Sequence, residues 1–141
     1  MAHSYGGTGT EPVTATLTVT DPAGGQDTAA VTVVPGNSPP ELALTAPAGD
    51  RRWAPGDLVE ASATAVDAED GPLTVRWSEV LVHCSGGACH EHPGETVEGP
   101  DYALPFVDHG EGTRMEVTVT ATDSAGVVAR AVFVLEPQAE V

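Results

Sequence analysis

The residues best equipped for chemistry fall within ten positions of one another, in the stretch His83-Cys84-Ser85-Gly86-Gly87-Ala88-Cys89-His90-Glu91-His92. Cys84 and Cys89 are the only cysteines, and three of the five histidines flank them. In an oxidising compartment such a pair closes a disulfide; the alternative is two thiolate ligands in a Cys/His zinc site. Closing so short a loop contributes about 2 kcal/mol in the chain-entropy picture and would also fix the directions of the neighbouring imidazoles. His90 and His92 are two apart, so extended backbone turns both to one side. With His83 across the loop and His109 from a later loop, three or four nitrogen donors assemble, a set suited to Zn2+, Cu2+ or Ni2+. The plain alternative is a group of polar loop histidines hydrogen-bonded to carboxylates, with Glu91 and Asp108 close in sequence.

A second set of candidates carries only oxygen. Asn37, Ser38, Asp67, Glu69, Asp70 and Asp123 sit in turn-like segments, and Gly71 permits a tight bend. Oxygen ligands from several loops are what Ca2+ takes, at about 2.3–2.6 Å. Equally, Asp and Asn in such places cap turns. A catalytic nucleophile is not expected: Ser85-Gly86-Gly87 lacks the Gly-x-Ser-x-Gly context and the strand-turn-helix that presents it.

These residues need elements to position them, and the elements read as strands. Val13, Ala15, Leu17 and Val19 alternate with threonines over 13–20, a half-buried pattern. A turn at Asp21-Pro22-Ala23-Gly24-Gly25 leads to a second strand over 28–34. Later come expected strands over 41–46, 58–66 and 73–82, weak ones near 95–97 and 102–106, then 115–122 and 127–135. The His/Cys stretch reads as the loop after the third of these seven. Reversing strands would bring the segments near 48–57, 83–92 and 107–112 to one end. The lead-in at 37–38, the acidic turn 67–71 and the turn 123–126 would share the other. The Gly36-Asn37-Ser38-Pro39-Pro40 segment reads as a linker stiffened by proline.

The first hairpin and the last are copies. Asp21 matches Asp123, Gly24 matches Gly126, Leu17 matches Val119 and Pro35 matches Pro137, a constant offset of 102 residues. The expected organisation is therefore a hairpin over 1–36 from a truncated repeat, a complete sandwich over 37–137, and a tail over 138–141. A lone hairpin is marginal in water and its edges invite pairing, so residues 1–36 are expected to pack on another chain or on the second domain. Strand sharing into a dimer or fibre follows as a third possibility.

Composition bounds the rest. The chain has 141 residues, 21 acids, five arginines and no lysine, a formal charge of −16. Nucleic acid and anionic membranes would be repelled, and hard cations attracted. Aromatics make up 4% and apolar residues 40%, mostly Ala and Val, with 16 Gly and 12 Pro. That favours a thin sandwich of short strands over a helical fold. No apolar run is long enough to span a membrane, and no signal peptide stands before the first strand; a chain beginning in mid-repeat would have left its signal upstream.

Asn37-Ser38-Pro39-Pro40, the Ala65-Val66-Asp67-Ala68-Glu69-Asp70-Gly71 turn, Trp77 on the third strand and Thr120-Ala121-Thr122-Asp123-Ser124-Ala125-Gly126 resemble the PKD and related immunoglobulin-like repeats of secreted bacterial proteins. The family's Trp-Asp-Phe-Gly-Asp-Gly signature is missing after Trp77, where Ser78-Glu79-Val80-Leu81-Val82 stands. Residues 37–137 thus look like a divergent relative and 5–35 like the back end of a more ordinary repeat. The His-Cys…Cys-His-x-His stretch resembles the module that follows a PKD repeat at the C-terminus of actinobacterial glucose/sorbosone-dehydrogenase-like proteins.

The resemblance implies an all-β, seven-stranded immunoglobulin-like sandwich, secreted or at the cell surface, with Ca2+ stiffening the interdomain junction. The expected role is a non-catalytic accessory or spacer module that contacts other domains of a larger secreted protein, a glycan or a cell surface. The rival expectation is a metal- or carbohydrate-binding accessory domain of a sugar-oxidising enzyme. For sugar stacking only Trp53, Tyr102 and Tyr5 offer rings, and Trp53 reads better as core.

Overall fold

β-Branched residues pack best on a pleated surface, which is why the Thr/Val alternation at the front of the chain extends. A computed structural model describes residues 11–107, 109, 110 and 112–138. In it β1 (Val13–Thr20) pairs antiparallel with β2 (Gln26–Val33), Leu17 opposite Ala29. The turn is held by Asp21, whose Oδ1 accepts the backbone N–H groups of Ala23 and Gly25, each at 2.8 Å. Gly24 supplies the positive φ, 88°. The chain divides into two compact units, Met1–Ser38 and Pro39–Val141, and this hairpin belongs to the first. Its side chains are exposed, Leu17 at 64% and Val31 at 60%.

The second unit contains β3 (Glu41–Thr45), β4 (Arg52–Trp53), β5 (Leu58–Asp67), β6 (Gly71–Leu73), β7 (Arg76–Ser85), β8 (Ala88–Glu98), β9 (Asp101–Pro105), β10 (Thr113–Thr122) and β11 (Val128–Pro137). One sheet runs β4-β11-β10-β7-β8; the other runs β3-β5-β6, with β9 also paired to β5. Neighbours are antiparallel except β4 with β11. The described residues contain no helix. Both sheets feed one core: Val59, Ala61, Ala63 and Ala65 from β5, and Trp77, Val117 and Val119 from β7 and β10. The small residues of β5 share that space with two large rings, Trp77 and Tyr102, whose centroids lie 5.3 Å apart. Trp77 is anchored further by its Nε1–H, which donates to the Gly99 carbonyl at 2.8 Å. The result is an all-β sandwich.

Three expectations need correction. The weak strand near 95–97 is the far end of β8, which is eleven residues long. The stretch 83–92 is not a loop but the tip of a β7–β8 hairpin, because Gly86 and Gly87 (φ 60° and 83°) close a two-residue turn that only such residues adopt freely. Among the described residues the second unit has nine strands where seven are expected, β4 and β6 being short ones of two and three residues.

The β7–β8 ladder carries one irregularity. Trp77 faces Val97 and Ser78 faces Thr96, but Val80 faces Pro93, so β8 holds one residue too many opposite Glu79. This β-bulge resets the alternation. Five positions separate Val97 from His92, so strict alternation would put them on opposite faces; the bulge brings both to the core side, with His92 opposite the core residue Leu81. Gly94 makes it fit, since a Cβ there would collide with the Glu79 carboxyl group. Glu79 in turn accepts a 2.6 Å hydrogen bond from the Tyr102 hydroxyl.

Candidate functional site

The sandwich has two poles, and each of the two candidate sets has members at one of them. At the β7–β8 tip, His83 lies directly opposite His90, and Cys84 opposite Cys89. The cysteines form a disulfide with Cα atoms 4.0 Å apart, near the spacing of a non-hydrogen-bonded antiparallel pair. Alternation separates the two chemistries: the disulfide sits on the face of Val82, while His83 and its partners continue the core-facing row of Trp77 and Leu81. Beyond Leu81 that row leaves the core; His83 is half-buried, and His90 and His92 are exposed.

The loop after β9 reaches the same place. Its backbone is pinned from both sides, Gly56 N–H to the Phe106 carbonyl at 2.9 Å and Cys84 N–H to the Gly112 carbonyl at 3.1 Å. His109 is thereby set beside His92. The outcome is a row of four imidazoles, with ring centroids 5.1 Å apart for His83–His90, 5.0 Å for His90–His92 and 5.4 Å for His92–His109. The first two pairs meet edge to face. As the side chains stand, no three His, Cys, Asp or Glu donors among the described residues form a group able to hold a metal ion. Behind the row a small cleft of about 210 Å3 opens, floored by Leu81 and Met115 and rimmed by His92, His109 and Glu79. Glu91, opposite Val82, points away from the row, and Asp108 lies outside the described residues.

Tyr102 is buried in the core and hydrogen-bonded to Glu79, which rims the cleft. Burial, then the hydrogen bond to Glu79 and the charge of that carboxylate, push its phenol far above the ordinary range. This Glu79–Tyr102 pair, 23 residues apart in sequence, gave no local signal by which it could be anticipated. Trp53 and Tyr102 are both buried, at 1% and 2% exposure, so neither can stack on a sugar; Tyr5 lies outside the described residues. Trp53 instead carries the Arg51 guanidinium 3.7 Å above its ring and packs near Phe106.

At the opposite pole the turns after β5 and β10 are tied together. Asp70 accepts from Ser124 twice, from its N–H at 2.6 Å and from its hydroxyl at 2.8 Å. Asp67 is 2% exposed, and its Oδ1 accepts the N–H groups of Glu69 and Asp70. Asp123 repeats the role of Asp21: its Oδ1 accepts the Val127 N–H at 2.7 Å. These carboxylates do cap turns. One oxygen is left over, however: Asp67 Oδ2 is buried without a hydrogen-bond donor. A buried carboxylate oxygen without a partner is costly, and a hard cation would satisfy it, although no three ligating side chains are grouped there among the described residues. Asn37 and Ser38 belong to the first unit, where the Asn37 side-chain amide donates to the Ser38 carbonyl at 3.0 Å.

No helix among the described residues is long and apolar enough to cross a membrane. No protein-family model, curated protein or solved structure matches this chain.

Proposed function

We propose that the chain is a non-catalytic accessory module of an extracellular protein, an immunoglobulin-like sandwich related to the PKD repeats, which spaces or docks neighbouring domains and is stiffened by Ca2+ at the Asp67 pole. The observation that carries this reading is Asp67 Oδ2, a buried carboxylate oxygen without a donor, in a turn already tied to the Asp123 turn through Asp70 and Ser124. A cation there would bring a missing partner to Asp67 and draw the two turns together, which is how a spacer end becomes rigid. The exposed, disulfide-closed tip supports an oxidising compartment, where such a bond persists.

Thermal unfolding in EDTA and in millimolar CaCl2 tests the proposal. Ligand linkage raises the melting temperature with calcium, and Asp67→Asn abolishes the rise without unfolding the protein. Equal melting temperatures in the two buffers for the parent chain would remove calcium from the reading.

One observation favours a second role, assembly of chains through the first hairpin. The apolar face of the first hairpin, Val13, Leu17, Val19 and Val31, is exposed, and its sequence copy in the second unit is a buried face. Light scattering at increasing concentration separates a monomer from an assembly built through that face.

A further inference from the structure

We propose that the imidazole row at the β7–β8 tip is a binding site for one borderline divalent transition metal, Zn2+ or Cu2+, with His83, His90 and His92 as ligands and His109 beside the open position. This goes beyond the spacer reading and does not depend on it.

Spacing carries the argument. With a metal–nitrogen bond of about 2.0–2.1 Å, two imidazoles at a tetrahedral angle place their ring centres about 5 Å apart. The centroids of His83–His90 and His90–His92 already stand at 5.1 and 5.0 Å. What differs is ring orientation: the rings meet edge to face, and as they stand they do not converge as a ligand group. Turning them requires rotation about side-chain torsions only; His90 and His92 are exposed, so no core packing opposes their turning toward the half-buried His83. The backbone is preset by two devices: the Gly86–Gly87 turn, which sets His90 opposite His83 and His92 opposite Leu81, and the Cys84–Cys89 bond beside them. Two ligands from one strand and a third from the strand beside it form a three-nitrogen site that leaves a position open.

The donor set decides the metal class. Neutral imidazole binds Zn2+ and Cu2+ well and hard cations poorly. The chain's formal charge of −16 attracts any cation to the surface, which accounts for weak, non-selective binding but not for selection of nitrogen-loving ions. His109, 5.4 Å from His92, closes the side of the row next to the small cleft, so the open position would face an apolar floor of Leu81 and Met115.

The test is calorimetric titration of ZnCl2 into the full chain carrying His3→Ala, which leaves His83, His90, His92 and His109 as its only histidines, with excess Mg2+ to occupy the acidic surface. One ion per chain is expected. His90→Ala, which takes away the ligand shared by both ring pairs, weakens zinc at least about tenfold, and His109→Ala weakens it less. Copper in the same protein binds more tightly than zinc, as its place in the affinity series requires. Unchanged circular dichroism and melting of the metal-free variants show that they fold. No stoichiometric zinc or copper binding by the parent would overturn the proposal; His90→Ala binding as the parent does would overturn it too, and place the metal on the carboxylates.

Discussion

Two hairpins of this chain are near copies, and they live in opposite circumstances. β1–β2 and β10–β11 turn on the same device: Asp21 and Asp123 each accept a backbone N–H four residues on, and Gly24 and Gly126 each take a positive φ (88° and 86°). The alternating row Met115, Val117, Val119, Ala121 is buried, at no more than 2% exposure, while in the first hairpin Leu17 and Val19 are more than half exposed. Local sequence therefore suffices to bend and pair the two strands. What it does not supply is a cover, and in the second unit the cover is the sheet of β3, β5 and β9. Hairpin formation and hairpin burial are separate events, specified by different residues.

The largest test of that contrast is a matched pair of truncations. Both tryptophans, Trp53 and Trp77, belong to the second unit, so their fluorescence in urea reports that unit's unfolding. Val119→Ala should cost about 2 kcal/mol through lost burial and a residual cavity. Leu17→Ala, its counterpart, should move the same transition by less than about 0.5 kcal/mol. Comparable costs would mean that the first hairpin is covered after all.

Next in size come the caps. Asp123→Ala strips the acceptor from the Val127 N–H in a half-buried setting and should cost about 1–2 kcal/mol. Asp21→Ala removes the same kind of bond from an exposed turn, and the tryptophan transition should not shift. Its effect should surface only as faster amide exchange at Ala23 and Gly25.

The smallest effect appears only in alkali. Tyr102, on β9 of the covering sheet, has its pKa raised in the folded state by burial and by Glu79. Folding therefore favours the neutral phenol. That contribution is complete below the unfolded value of about 10 and is lost progressively as pH climbs above it. Stability of the second unit should fall from about pH 10 upward, and Tyr102→Phe should flatten the fall. A slope identical in Tyr102→Phe would assign alkaline unfolding elsewhere.

Much of this is legible in the amino-acid sequence. The hairpins announce themselves through Thr/Val alternation and Asp…Gly turns, and strict reversal of strands is enough to place His109 with His92 and Asp70 with Ser124. The tip was less legible, since Gly86-Gly87 reads as a loop until the strands on both sides are known to pair. The bulge was not legible at all. Pro93-Gly94 looks like the start of a turn, and only the Glu79 carboxyl, fixed by Tyr102 from another strand, shows why a residue without a side chain is needed there. Contacts of that range leave no periodic trace. Trp53 reads as core from the sequence and is buried; for Tyr102 the question whether the ring faces solvent depends on a sheet that local sequence does not reveal.

The β7–β8 hairpin resembles two rulers clamped at both ends when one has an extra graduation. One clamp is the Cys84–Cys89 bond at the tip, the other the Trp77–Val97 pair at the base. Between them the arms differ in length by one unit, and the surplus has to be swallowed somewhere; Gly94 is where it goes. Removing one residue from the β8 arm, or adding one to the β7 arm, would thus even the two and erase the mismatch, whereas the opposite changes would double it and prise at a clamp.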